Sequence, residues 1–166
     1  MKNLILIGMP ACGKSTVGVV LAKTMGMKFL DTDLLIQERE GALLQDLINK
    51  KGNDYFKKVE EYVLRSFAAE NTVVSTGGSA VYYPEAIKHF KKNGLVIYIK
   101  VSFESIEKRL DNITTRGITM APGQTLKDLY DQRIPLYEAN ADIIVDTEEL
   151  TVEQAIEKII KLVEHH

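Results

Sequence analysis

The chain is predicted to fold as an α/β domain, with a mainly parallel sheet covered by helices on both faces. Three observations carry that prediction. Apolar strand-like runs alternate with helical patterns along the whole sequence. The first run, Leu4–Ile7, is continuously apolar, as a strand buried on both faces should be. A glycine-rich turn then leads from that run directly into a helical pattern.

Taken in order, the helical pattern after the first strand runs from Lys14 to about Met25 and is closed by Gly26. Lys28–Leu30 reads as a short strand ending at Asp31-Thr32-Asp33. Leu34 to Phe67 reads as two or three helices, punctuated by Gly41 and Gly52. Leu43, Leu44, Leu47 and Ile48 share one face there, and Phe56, Val59, Val63 and Phe67 share another. Thr72–Ser75 is the next strand, followed by Gly77-Gly78. Pro84–Lys92 is helical, Leu95–Ile99 strand and Phe103–Asp111 helix. Residues 112–124 have little apolar periodicity and contain Gly117, Pro122 and Gly123, so a mobile loop is expected. Thr125–Asn140 reads as helix, Ile143–Val145 as strand and Val152–Val163 as the closing helix. The right-handed connection rule then favours parallel neighbours.

At 166 residues the sequence suits one domain, 1–166, so a second substrate must bind on insertions within the same fold. A net charge of −2 gives no global attraction for nucleic acid or an anionic membrane. No apolar run approaches the roughly 20 residues of a membrane span. The single cysteine, Cys12, excludes an intrachain disulfide framework and a cysteine-cluster metal site, and the cytoplasm is the expected compartment. Without an evident apolar surface stripe, a monomer is the default. His89 stands among lysines on a helix and is expected at the surface, and His165 and His166 are assigned no role.

Gly8-Met9-Pro10-Ala11-Cys12-Gly13-Lys14-Ser15 fits the phosphate-loop pattern G-x-x-x-x-G-K-[ST]. The glycines let the backbone curl until successive N–H groups point inward at phosphate oxygens. The helix that begins near Lys14 adds its positive N-terminal end. Lys14 supplies a cation for the outer phosphates, and the Ser15 hydroxyl supplies a hard oxygen for Mg²⁺. Ala11, Cys12 and Thr16 complete the nucleotide contact. Cys12 has two readings: a thiol activated by the helix N-terminus, or simply a small side chain where the loop needs one. The guanine-reading Asn-Lys-x-Asp of GTPases is absent, since Asn49-Lys50-Lys51-Gly52 lacks the aspartate. The strand Val73-Val74-Ser75-Thr76 ends in glycines and not in the aspartate of an ATPase motor. Both absences favour a small-molecule kinase.

Five segments, in order, resemble the shikimate kinase family: Gly8–Thr16, Phe29-Leu30-Asp31-Thr32-Asp33, Phe56-Lys57-Lys58-Val59-Glu60, Ser75-Thr76-Gly77-Gly78, and Arg133-Ile134-Pro135-Leu136-Tyr137. The resemblance spans nearly the whole chain. It implies a three-layer α/β/α P-loop fold like that of nucleoside monophosphate kinases, with a five-stranded, mainly parallel sheet. It also implies a helical substrate-binding insertion at about 34–67 and a lid at about 112–124 that closes over ATP. In the family's reaction, ATP with Mg²⁺ phosphorylates the 3-hydroxyl of shikimate on the route to aromatic amino acids.

By the same resemblance, Asp31 helps hold Mg²⁺ through water. Asp33 binds substrate hydroxyls and orients or deprotonates the attacking one. Gly77 and Gly78 let the backbone approach the substrate, and Arg133 grips its carboxylate. Arg116 stabilises the transferring phosphoryl group, and Arg109 lies against adenine. Plainer readings stand beside these: a capping Asp pair at the helix start, an ordinary glycine turn, and arginines that are only solvated charge.

The chain departs from the family pattern at three places. Lys57 stands where an arginine is usual, Ser79 replaces the third glycine, and Arg116 is followed by Gly117-Ile118-Thr119 instead of a proline. A lysine cannot make the bidentate fork of an arginine. Two of the departures, Lys57 and Ser79, fall on the acceptor pocket. They keep open a same-fold kinase for another small hydroxylated acceptor, a sugar acid or a hydroxy amino acid. A nucleotide-binding regulatory module without turnover is a third reading, which the acceptor aspartate Asp33 disfavours.

Overall fold

The structure, a computed structural model, describes residues 2–111 and 120–166. Arg116 and most of the expected lid therefore lie outside the described residues. Five strands form one parallel sheet: β1 (Asn3–Ile7), β2 (Lys28–Asp31), β3 (Thr72–Ser75), β4 (Gly94–Lys100) and β5 (Ile143–Asp146). Their spatial order is β2-β3-β1-β4-β5. The expected five-stranded three-layer architecture is thus observed, and Asp31 belongs to β2 as its last residue.

Burial follows from position in the sheet. β1 is central, pairing with β3 through Leu4↔Val73 and with β4 through Leu4↔Leu95. All five of its residues are buried, which accounts for the unbroken apolar run. Edge strand β5 instead alternates buried Ile143 and Val145 with exposed Ile144 and Asp146. Each fully buried Leu, Ile or Val contributes about 1.5–3 kcal/mol of transfer free energy, so the β1–β4 centre dominates the core.

Seven helices flank the sheet among the described residues: α1 (Lys14–Met25), α2 (Thr32–Glu40), α3 (Leu44–Ser66), α4 (Pro84–Lys92), α5 (Phe103–Asp111), α6 (Leu126–Asn140) and α7 (Val152–Glu164). α1 packs with α7, and α3 packs with α4. The helical segment after β2 resolves into α2 and α3, with α3 broken at Gly52 (φ 84°, ψ 168°). That conformation is open to glycine and costly for other residues, so the punctuation legible in the sequence is a real break. A second, smaller apolar cluster forms there, with Ile36, Leu44, Leu47, Phe56, Val59 and Val63. It gives the insertion its own packing.

Local chemistry sets the helix ends. Thr125 and Thr151 each close a capping box, with Asp128 and Gln154 at the third helical position. Such a cap stabilises a helix by about 1 kcal/mol. Thr125 is therefore the cap of α6 and not its first helical residue. A short 3₁₀ turn, Ala80–Tyr82, follows the glycines after β3 and was not evident in the sequence.

His89 departs from its expected surface position. It is half-buried, its Nε2 lies 2.6 Å from the Phe67 carbonyl oxygen, and its ring meets Phe67 edge-on at 5.3 Å. The neighbouring lysines face solvent while His89 packs against the end of α3.

Candidate active site

The C-terminal ends of the parallel strands open onto a cavity of about 400 Å³. Phosphate-loop residues Pro10–Val17 line it at one side, and Asp33, Glu60, Gly77, Gly78 and Arg133 line it at the other. Six of the elements named above contribute, and their residues meet because every β-strand runs in the same direction.

The phosphate loop is shaped by its backbone. Gly8, Ala11 and Gly13 all have positive φ, at 150°, 64° and 100°. A side chain on Gly8 would begin 2.8 Å from the Ile99 carbonyl oxygen, so the loop can be seated on β4 only with glycine there. Lys14 is buried, and its Nζ donates to the carbonyls of Gly8 at 2.7 Å and Met9 at 2.8 Å. Its ammonium is thereby held inside the curl of the loop. Cys12 is buried, with its Sγ 3.6 Å from Lys14 Nζ, which fits the small-side-chain reading better than that of an accessible thiol. Ser15 and Thr16 are exposed at the start of α1.

Asp31 performs two tasks. Its Oδ1 accepts from the Asp33 backbone N–H at 2.9 Å and caps α2, while its Oδ2 accepts from Ser15 Oγ at 3.2 Å. Ser75 Oγ stands 3.3 Å from Ser15 Oγ. The capping reading is thus observed, and it leaves Oδ2 directed at Ser15. Ser15 and Asp31 bring one hydroxyl and one carboxylate together beside the phosphate loop. That hard-oxygen set suits Mg²⁺, which takes one or two carboxylates and leaves its other positions to water and substrate phosphates.

Asp33 sits in the floor of the cavity. Burial of its carboxyl, reinforced by the nearby charges of Asp31 and Glu60 and opposed by Lys14, raises its pKa from 3.8 to about 7. Gly77 and Gly78 are more than an ordinary turn. A side chain on Gly77 would begin 2.9 Å from Asp33 Oδ1 and 3.3 Å from Glu60 Oε2. One on Gly78 would begin 2.6 Å from Arg133 Nη1 and 2.8 Å from Pro10 Cδ. Arg133 is itself buried and is held on α6 one turn before Tyr137. The Tyr137 hydroxyl donates to the Gly78 carbonyl at 2.6 Å, and its ring stacks on Tyr98 at 5.1 Å.

Lys57 lies apart from this group. It is exposed and lines an adjoining cavity of about 510 Å³, which shares Ser79 and Arg133 with the first. Arg109 is exposed on α5, where its Nη1 donates to the Ala11 carbonyl at 3.0 Å. It lines the main cavity together with Thr147, Leu150, Val152 and Ala155. Those four went unnoticed in the sequence, because nothing local marks the β5–α7 connection as a wall of the site.

Glu60 was also missed as a site residue, although a signal for it existed. Phe56, Val59, Glu60 and Val63 fall on one helical face, and the carboxylate occupies a core position of that stripe. It is 2% exposed. Its Oε1 accepts from Ser79 Oγ at 2.5 Å and from the Tyr83 hydroxyl at 2.7 Å. Burial raises its pKa, while Ser79, Tyr83, Arg133 and Lys57 favour its charged form.

Comparison with known proteins agrees with this geometry. The family model for shikimate kinase matches residues 10–164. A shikimate kinase of Thermodesulfovibrio yellowstonii is 37% identical over 164 residues, which cover 97% of this chain and 94% of that protein. The structure of a shikimate kinase from Acinetobacter baumannii in complex with shikimate superposes with a TM-score of 0.86 at 30% identity, covering 99% of this chain and 94% of that one. That of a shikimate kinase from Aquifex aeolicus gives a TM-score of 0.84 at 34% identity, covering 98% and 96%. With the phosphate loop, the carboxylates of Asp33 and Glu60 and the buried Arg133 assembled in one cavity, the chain belongs to the shikimate kinase family.

Proposed function

We propose that this ATP-dependent shikimate kinase divides its reaction between a phosphate end and an acceptor end of the same cavity. The observation that carries the assignment is the meeting of Lys14, Asp33 and Arg133 around that cavity, about 400 Å³ in volume. At the phosphate end, the backbone N–H groups of Gly8–Thr16 surround the ATP phosphates. Lys14 exchanges its loop carbonyls for phosphate oxygens and stabilises the negative charge of the transferring group. Arg109 and the Thr147–Ala155 wall receive the nucleoside end. Arg116, from the lid segment, adds a second cation to the phosphoryl group.

At the acceptor end, Arg133 pairs with the carboxylate of shikimate, and Lys57 adds charge from the adjoining cavity. Gly77, Gly78 and Ser79 form the wall against which the ring rests. Asp33 accepts the proton of the 3-hydroxyl as that oxygen bonds to the γ-phosphorus, and the bond from phosphorus to the bridging oxygen breaks to release ADP. A carboxyl with a pKa of about 7 can both take and return a proton near neutrality. Ser15, and Asp31 through water, would hold Mg²⁺, which when bound neutralises charge on the β- and γ-phosphates.

Residues 1–166 are read as one kinase domain, acting as a cytoplasmic monomer. Among the described residues no helix is long and apolar enough to cross a membrane. A coupled assay of ADP release tests the assignment, with shikimate, sugar acids and hydroxy amino acids as acceptors and with and without Mg²⁺. Turnover that requires both shikimate and Mg²⁺ is expected. Turnover with a sugar acid or hydroxy amino acid alone would replace the acceptor and leave the phosphate end as described.

A further inference from the structure

The turn between β5 and α7 walls one side of the main cavity, and a carboxylate in that turn reaches across to α5. We propose that Glu148 and Ser105 are positioning residues for the nucleoside of ATP: they tie the turn to α5, whose Arg109 bonds the phosphate loop, so that wall and loop keep the spacing a nucleoside triphosphate needs. This rests on the placement of the nucleoside given above and deepens it.

Both oxygens of Glu148 are engaged. Oε1 accepts from Ser105 Oγ at 2.6 Å, and Oε2 accepts from the Ser102 backbone N–H at 2.9 Å. The Ser105 hydroxyl first, then the Ser102 N–H and the charge of Arg109, hold the carboxyl below its ordinary pKa, so it is ionised at neutral pH. One turn further along α5, on the same face as Ser105, Arg109 Nη1 donates to the Ala11 carbonyl at 3.0 Å. Helix α5 therefore bonds the turn near its start and the phosphate loop near its end. Thr147 and Leu150, on either side of Glu148, line the main cavity.

Capping alone does not account for Glu148. α5 already has a cap of its own, since Ser102 Oγ accepts from the Ser105 N–H at 3.2 Å. The turn is likewise anchored without α5: the Thr147 N–H donates to the Lys100 carbonyl at 3.0 Å, and the Glu148 N–H donates to Asp146 Oδ1 at 2.9 Å. What the Glu148 carboxylate adds is a fixed distance between two walls of one cavity. It does so just before the chain turns to face that cavity, where Glu149 holds a left-handed φ of 61°, uncommon for a residue with a side chain. The curl of the phosphate loop does not depend on this brace, because Gly8 is seated against the Ile99 carbonyl of β4. Loss of the brace should therefore be felt by the nucleoside and not by the phosphates.

The test uses the full chain with Mg²⁺–ATP and shikimate, and inorganic tripolyphosphate as a competitor that carries the phosphates without the nucleoside. The variants are Ser105→Ala, Ser105→Thr, Glu148→Ala, Ser105→Ala combined with Glu148→Ala, and Leu150→Ala in the wall itself. Ser105→Ala and Glu148→Ala should each raise the KM for ATP about fivefold, with kcat and the KM for shikimate within about twofold. The inhibition constant of tripolyphosphate should not change. Ser105→Thr, which keeps a hydroxyl, should retain most of the affinity for ATP. The double variant should lose no more than Glu148→Ala does, because Ser105 acts through Glu148. A lower melting temperature with an unchanged KM for ATP would overturn the brace, as would equal losses for ATP and tripolyphosphate, or no inhibition by tripolyphosphate in the unaltered chain. If Glu148→Ala fails to fold, the two Ser105 variants decide the matter. Leu150→Ala separates the brace from the placement beneath it. If it leaves the KM for ATP unchanged, the nucleoside lies elsewhere and both ideas fall; if it raises that KM and the Ser105 and Glu148 variants do not, the brace alone falls.

Discussion

The two ends proposed for the cavity are built on different principles. The phosphate end is made almost wholly of backbone from one continuous stretch, Gly8–Thr16, which leaves the central strand β1 and is seated against β4. The acceptor end is made of side chains from elements far apart in sequence: Asp33 on α2, Glu60 on α3, the turn after β3, and Arg133 on α6. A loop that binds through peptide N–H groups tolerates varied side chains, so long as its glycines and its Lys-Ser pair remain. A pocket that binds through side chains can change its preferences one residue at a time, as at Lys57 and Ser79. On the proposed division, specificity is adjustable at one end and nearly fixed at the other.

The largest expected effect tests the phosphate end. Lys14→Ala should lower kcat at least a hundredfold, about 3 kcal/mol, while the protein still folds. Because the Nζ donates to the phosphate loop itself, to the Gly8 and Met9 carbonyls and to Cys12 Sγ, its loss should be felt mainly in catalysis. Near-normal turnover by a folded Lys14→Ala protein, measured by ADP release, would remove the kinase mechanism.

A smaller effect tests the electrostatics of the acceptor end in the free chain, without nucleotide or Mg²⁺. The pKa of Asp33 is raised in the folded state, from 3.8 to about 7. The folded state therefore holds this proton more tightly than the unfolded one, and the associated stability is lost as pH rises through about 7. Asp33→Asn removes the ionisation. The variant should match the parent protein in stability near pH 4 and exceed it by roughly 2–3 kcal/mol at pH 8. Denaturant melts at the two pH values measure the difference, and equal gains at both would show that Asp33 ionises freely in the fold.

Smaller again is Lys57→Arg. A planar fork beside Arg133 should tighten shikimate by about 1–2 kcal/mol, read as kcat/KM in both proteins. No improvement would leave the acceptor carboxylate to Arg133 alone. Smallest is Tyr137→Phe, which keeps the stack on Tyr98 and deletes the hydroxyl that bonds the Gly78 carbonyl and reaches Met9 Sδ at 3.9 Å. A loss of about 1 kcal/mol in stability is expected, with a modest rise in shikimate KM. An unchanged KM would show that the glycine turn keeps its position without that bond.

Legibility in the sequence divides along the same line. The strand–loop–helix at Gly8–Thr16, the Gly41 and Gly52 breaks and the strand alternation were readable, because each is a local rule about φ, charge or periodicity. Asp33, Gly77, Gly78 and Arg133 were reached only through resemblance, since nothing nearby in the chain says that they converge. Glu60 shows a local signal that was passed over, a carboxylate in an apolar stripe. The Thr147–Ala155 wall and the adjoining cavity around Lys57 carry no such mark. They exist only once α7 and α6 have docked on the sheet.

The strand order has a further consequence, for the sequence of events in folding. β1 and the phosphate loop come early in the chain, yet β1 takes its partners from β3 at Thr72–Ser75 and β4 at Gly94–Lys100. The Gly8 seat needs the Ile99 carbonyl of β4. During synthesis, then, about a hundred residues must emerge before the loop can take up its curled shape, and parallel pairing over such separations is slow. Until that point the nascent chain should have no phosphate site, and nucleotide can act as a folding ligand only late, by trapping a sheet that has already formed.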